Sequence, residues 1–287
     1  MNYTTQIDTI SIQIDYDTDK EQRDLLFSLI EYTRNLGLFI NTKDYSIYTN
    51  MIRKEHFIYT NNITLASINT GIFRSGSSKD GYKMQYYISI KFAGLKSYNE
   101  LFDQTSNGYL LQICAFLNSK RIPFKLTELD VCIDMACSHE HVSAICTRKS
   151  PKTNYYSLDE HQAYNGTTYI EKIPSCRFDQ AVLRTYIYDK STKEHLLYPL
   201  TRFEIKLQAK YFNKYSFDTT AIAKAFDRYY VMYFETVAEK NAMIQAYNGY
   251  LHVRRREIKK LGLDRYRVYP NLEYINHFIN RLLTIKE

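Results

Sequence analysis

Several segments of this chain alternate apolar and polar residues with a period of two, and that pattern dictates a sheet with one greasy and one polar face. In Ile10-Ser11-Ile12-Gln13-Ile14-Asp15-Tyr16 three isoleucines and a tyrosine alternate with polar residues. Gln85–Phe92, Leu126–Ala136, Leu183–Asp189 and Leu200–Gln208 repeat the pattern, and residues 46–75 read as further short strands. Helical spacing interrupts them. Thr18 and Glu21 form a capping-box pattern, Leu25, Leu29, Tyr32 and Leu36 follow on one stripe, and Gly37 stops the helix. Leu110, Ile113, Cys114 and Leu117 mark a second helix. The expected fold class is α+β: an antiparallel-rich sheet, helices on one face, an open polar face on the other.

The second half repeats this order, which predicts an internal duplication. After the strand Leu126–Ala136 a short helix is expected around residues 139–148, then a loop-rich stretch over 149–180. A long helix is expected from about Asp218, with Ile222, Phe226, Tyr229 and Tyr233 on one stripe. The last helix opens at Pro270 and turns Ile275, Phe278, Ile279 and Leu282 inward. The division predicted is a first half over 1–120, a second half over 121–248 and a basic helical tail over 249–287.

Composition narrows the function classes. The 45% hydrophobic fraction of 287 residues builds a core and excludes a disordered, collagenous or coiled-coil chain. The apolar runs are strand-sized, so no membrane partner is expected, and no apolar leader pattern opens the sequence. Five cysteines (Cys114, Cys132, Cys137, Cys146, Cys176) without a CxxC pair suit reduced thiols and a cytoplasmic location. The net charge of +7 and 28 tyrosines suit nucleic acid, where cations meet phosphates and rings stack on bases. An AT-rich coding sequence enriches tyrosine equally well.

The chemistry is expected on the polar face, because residues i and i+2 of a strand share a side. Glu128, Asp130, Cys132 and Asp134 lie on it from one strand, and Arg202, Glu204, Lys206 and Gln208 from another. The intervening segment adds Arg184, Tyr186, Tyr188 and Lys190. Carboxylates suit a hard divalent cation such as Mg²⁺ or Mn²⁺, which polarises a phosphodiester. A tyrosine hydroxyl can attack phosphorus and form a phosphotyrosine, provided that a base or positive charge assists it; Lys190 and Arg184 would supply charge. Cross-strand ion pairs and packed tyrosines produce the same pattern without catalysis.

Three pieces in one order, Glu128-Leu-Asp-Val-Cys-Ile-Asp134, Arg184-Thr-Tyr-Ile-Tyr-Asp-Lys190 and Leu200-Thr-Arg-Phe-Glu-Ile-Lys-Leu207, resemble the replication initiators of the Rep-trans plasmid family and the gene II type of filamentous phages. Gly166-Thr-Thr-Tyr-Ile170 resembles the plasmid family's lead-in. The likeness covers roughly residues 5–245, and Glu128 departs from the arginine common at the start of the first motif. The resemblance implies a relaxase that nicks one strand at an origin and stays linked to the 5′ phosphate in rolling-circle replication. It implies Tyr188 as nucleophile, with Tyr186 the alternative one face-step away. It further implies Asp130 and Glu204 as metal acids, Lys190 and Arg202 as accompanying cations, and origin DNA and a host helicase as partners of a monomer or homodimer. Glu128 and Asp134 complete the candidate metal set, and Lys206 and Arg184 the cations near DNA.

Two clusters remain. His139-Glu140-His141 has the look of a metal pair, but it starts a helix and carries Glu in the middle, so a solvated helix start is expected. Arg254, Arg255, Arg256, Lys259 and Lys260 form a basic run beside His252 and are expected to hold duplex DNA through phosphates. Other readings of the chain are a DNA-binding regulator without chemistry and a metal-dependent nuclease that uses water.

Overall fold

The computed structural model describes residues 2–48, 51–60, 63–75, 81, 83–95, 106–146, 155–158, 164–170, 183–208, 219–248 and 255–284. It has the mixed α+β character expected, with strands that pair antiparallel. The chain divides into two compact units: one holds residues 7–129 and 279–287, the other residues 1–6 and 130–278. The division falls inside a strand, and the basic tail is shared between the units instead of forming a third.

The first unit contains β1 (Tyr3–Tyr16, whose opening residues belong to the second unit), α1 (Asp19–Asn35), β2 (Phe39–Tyr48), β3 (Met51–Tyr59), β4 (Thr64–Ser75), β5 (Lys83–Ala93), α2 (Ser106–Ser119) and the start of β6 (Lys125–Met135). Its strand order is β2-β3-β4-β5-β1-β6. The stretch expected to hold short strands is built from long ones, because β3 pairs with β2 and β4 with β5 over most of their length. One face carries Ile10, Ile12, Ile14, Ile58, Ile68, Ile88, Ile90 and Phe92, all buried. Leu25 and Leu29 of α1 and Leu110, Ile113 and Leu117 of α2 are buried with them, and Phe92 meets the Tyr109 ring. The capping box forms as read: Thr18 Oγ1 accepts from the Glu21 amide at 3.2 Å and the Thr18 amide donates to Glu21. The other face is polar and half-buried at Gln13, Glu55, Ser67, Ser89 and Lys91.

In the second unit follow β7 (Val142–Cys146), β8 (Tyr155–Leu158), β9 (Tyr164–Tyr169), β10 (Leu183–Asp189), α3 (Lys190–Glu194), β11 (Thr201–Gln208), α4 (Thr219–Phe226), β12 (Tyr229–Tyr233), α5 (Val237–Asn248), α6 (Arg255–Leu261) and α7 (Leu272–Thr284, whose residues from Ile279 on belong to the first unit). Strands neighbour one another in the order β1-β6-β11-β10-β9-β8, while β7 pairs with β12 apart from them. Val131, Ile133, Ile187, Phe203, Ile205 and Leu207 form the apolar side with Ile222, Phe226 and Tyr229.

Three expectations change here. The helix expected over 139–148 is a three-residue 3-10 turn, His139–His141, and then strand β7, because Val142, Ala144 and Ile145 pair with β12. The long helix from Asp218 is α4 and then β12: Tyr229–Tyr233 is β-branched and aromatic, and its pairing with β7 overrides the helical stripe. The polar face of this unit is not open. Asp130, Asp134, Lys190, Arg202 and Glu204 are all buried, because their opposite charges neutralise one another and so can leave water together.

Candidate functional site

The β10–β11 hairpin builds the centre of the site. Its register sets Tyr188 opposite Arg202, Tyr186 opposite Glu204 and Arg184 opposite Lys206. Although β10 lies between the other two strands in the chain, β11 lies between β6 and β10 in space. Lys206 meets Asp130 and Arg202 meets Asp134, so residue numbers rise along one strand as they fall along the other. On the far side β9 sets Thr167 opposite Tyr188 and Tyr169 opposite Tyr186.

The charges sort into two groups. Asp134 takes both Nε and Nη2 of Arg202 at 2.6 Å, and Lys190 Nζ stands 3.4 Å from its Oδ2. Lys206 Nζ binds Asp130 Oδ2 at 3.0 Å. Between these groups Glu204 receives two phenols: Tyr186 donates to Oε1 and Tyr188 to Oε2, the latter at 3.5 Å. The two rings stack at 5.9 Å, Tyr169 packs against Tyr186, and Lys193 Nζ sits 4.5 Å from the Tyr188 ring centre.

Burial separates the tyrosines. Tyr188 is buried, and Tyr186 is half-buried. Burial pushes the Tyr186 phenol far above its ordinary value, and the carboxylates of Glu204 and Asp130 push it further. The phenol therefore holds its proton until something accepts it, and the acceptor in contact is Glu204. A buried carboxylate gripping a phenolic proton is the arrangement that general-base activation of a tyrosine needs.

The remaining candidates fall as follows. Glu128 pairs with Lys91 at 2.9 Å in the first unit. Asp134 is held by Arg202 and one oxygen of Asp130 by Lys206, so three of the four candidate metal acids are paired with cations. Asp130 and Glu204 both face Tyr186, and two hard oxygen donors completed by phosphate oxygens suit Mg²⁺ or Mn²⁺. No group of three or more ligating side chains gathers among the described residues. His141 Nδ1 contacts the Phe234 carbonyl at 3.0 Å and its ring stacks on Tyr233, so it serves packing. Arg256, Lys259 and Lys260 are exposed on α6, which Arg255 opens; Arg254, His252 and Cys176 lie outside the described residues. Sequence reading missed Lys193, which follows the motif it quotes; it quoted Tyr169 within Gly166–Ile170 without giving it a site role, and the β9 register sets it beside Tyr186.

No described helix is long and apolar enough to cross a membrane. A scan against protein-family models and a search of curated proteins return no match to this chain.

Proposed function

We propose that the chain is a DNA strand-nicking and -joining endonuclease of the rolling-circle initiator type, acting through a tyrosine. The observation that carries the reading is the Glu204 carboxylate holding the hydroxyls of Tyr186 and Tyr188 at once. The half-buried ring is the better placed to meet a phosphate, which favours Tyr186 over Tyr188 as the nucleophile. In the step proposed, the Tyr186 oxygen attacks phosphorus while Glu204 accepts its proton. The bond from phosphorus to the 3′ oxygen breaks, and that oxygen leaves as a hydroxyl with a proton from solvent. The 5′ phosphate stays on tyrosine, and the reverse step rejoins the strand. Tyr188 holds Glu204 from the other side, and the Asp134–Arg202–Lys190 group fixes the strand that carries it. Asp130 and Glu204 are the residues that would hold Mg²⁺ or Mn²⁺, whose chemistry is to offset charge on the phosphodiester.

The test is incubation of the protein with a random-sequence single-stranded pool and a divalent cation, followed by denaturing electrophoresis. A protein–DNA adduct is expected from the wild type and from Tyr188→Phe, and none from Tyr186→Phe. An adduct from Tyr186→Phe but not from Tyr188→Phe would return the role to Tyr188. The compensated burial of the ionic groups favours a second reading, a DNA-binding regulator in which this network is structural. It predicts binding with neither adduct nor cleavage, and cleavage without adduct would mark a water-dependent nuclease.

A further inference from the structure

The hairpin that carries the site ends in a tip that the proposed chemistry does not use. Leu197 is 104% exposed and Tyr198 is 57% exposed, with Pro199 exposed beside them. Single exposed apolar residues are ordinary. Two adjacent ones on a braced loop are not explained by the fold, since neither contributes to its core.

The bracing is explicit. Ser191 Oγ accepts from the Leu200 amide at 2.6 Å and donates to the Leu200 carbonyl at 3.3 Å. The amides of Lys190 and Ser191 also donate to that carbonyl, and the Leu196 amide donates to Ser191. Asp189 caps α3 through the Thr192 amide at 3.0 Å, and His195 turns the chain with a φ of 54°. The neck is thus tied at several points while the tip projects. One exposed cation flanks it, Lys193 over the Tyr188 ring.

An apolar pair beside a cation and an aromatic site matches an opened base stack, whose interior is apolar and whose rim is phosphate. We propose that the Leu197–Tyr198 tip is a wedge that stacks at the junction of duplex and single-stranded DNA and feeds the single strand to Tyr186 and Glu204. The inference rests on the DNA reading above. A second copy of the chain or a lipid surface would engage an apolar tip without the need for Lys193 beside an aromatic site.

The experiment uses the full chain and a forked oligonucleotide with 2-aminopurine at the first paired position, with single-stranded DNA as reference. The wild type is expected to raise the fluorescence and to prefer the fork. Leu197→Ser with Tyr198→Ser should keep its melting temperature and single-strand affinity. It should lose fork affinity by roughly fivefold or more, the lower end of what one lost base–aromatic stack costs. Leu197→Met with Tyr198→Trp should retain the preference. A double serine variant that binds the fork as the wild type does, or a wild type that leaves the probe silent, overturns the wedge. So does a variant whose only loss is self-association or binding to anionic phospholipid vesicles. Fork binding without adduct would remove the nicking reading and leave the wedge standing; adduct formation with an indifferent double variant would remove the wedge alone.

Discussion

Asp134 and Arg202 are joined at two points, each 2.6 Å long, with side-chain exposures of 8% and 0%. Planar, bidentate geometry of this kind is the strong form of the ion pair. Lys190 adds a second buried cation to the same carboxylate. Replacing Asp134 by Asn would leave Arg202 and Lys190 facing a neutral amide in a place that water does not reach. Asp134→Asn should therefore destabilise the protein by about 3–5 kcal/mol, the usual cost of orphaning a buried charge. Urea denaturation measures it. A loss within the range of an exposed pair, about 1 kcal/mol or less, would mean that solvent enters the site.

The pairing of acid and cation also explains what the sequence revealed and what it hid. Alternation placed Asp130 and Asp134 on one face of β6, and Tyr186 and Tyr188 on one face of β10, and the register agrees. The boundaries of β10 and β11 were legible because Leu183–Asp189 and Thr201–Gln208 alternate cleanly up to their ends. Exposure was not legible. A polar face reads as wet in a sequence, yet Arg202 is fully buried because Asp134 answers its charge from another strand. Tyr229–Tyr233 failed for a related reason: a helix stripe and a short buried strand use the same residues, and only pairing with β7 decides between them. Tyr186 and Tyr188 differ in burial, which two like residues on one face do not encode.

Buried His56 and half-buried His139 should make stability depend on acidity. Burial lowers the affinity of His56 for a proton, and Lys54 lowers it further, against a smaller opposing effect of Asp44. His56 Nδ1 meets Thr42 Oγ1 at 2.8 Å, and Nε2 has no hydrogen-bond partner among the described residues, so a proton there would be poorly received. His139 shifts the same way through burial and Lys240. The unfolded chain binds these protons near pH 6.5, and the folded chain resists them. Stability should thus be complete above about pH 6.5 and fall as the pH drops towards about 5. Denaturant midpoints across that range should show the slope, and His56→Gln should flatten it. Equal slopes in both proteins would show that His56 is protonated as readily folded as unfolded.

The two carboxylates that face Tyr186 give a separable prediction for the metal. Asp130 lies beside Lys206 and acts on Tyr186 through its charge, whereas Glu204 touches the phenol. Asp130→Asn should lower adduct formation and weaken its dependence on Mg²⁺ or Mn²⁺, and excess chelator should reduce the wild type to a similar level. Glu204→Gln should abolish the adduct at every metal concentration, because the amide cannot accept the phenolic proton. An Asp130→Asn protein with the wild-type metal response would remove Asp130 from the ligand set.

The basic helix α6 sets the last prediction. Ile258 anchors it in a cluster with Tyr230, Met232, Phe234 and Leu263, which turns Lys259 and Lys260 to solvent. Arg256 is tied to the buried carboxylate of Glu257, so the two lysines are the more available charges. A surface of this kind binds duplex DNA by displacing counterions, and each phosphate contact contributes about 0.9 to the slope of log affinity against log salt. Replacing Lys259 and Lys260 by Ala should weaken duplex binding uniformly across sequences and reduce that slope by up to about 1.8, two contacts at 0.9 each. Cleavage of a short single strand should persist, since Tyr186, Glu204 and Asp130 lie on other elements. Ile258 remains in place in this variant, so the melting temperature should hold. A salt titration of duplex binding beside a single-strand cleavage assay makes the measurement. An unchanged slope would mean that Lys259 and Lys260 only solvate the helix.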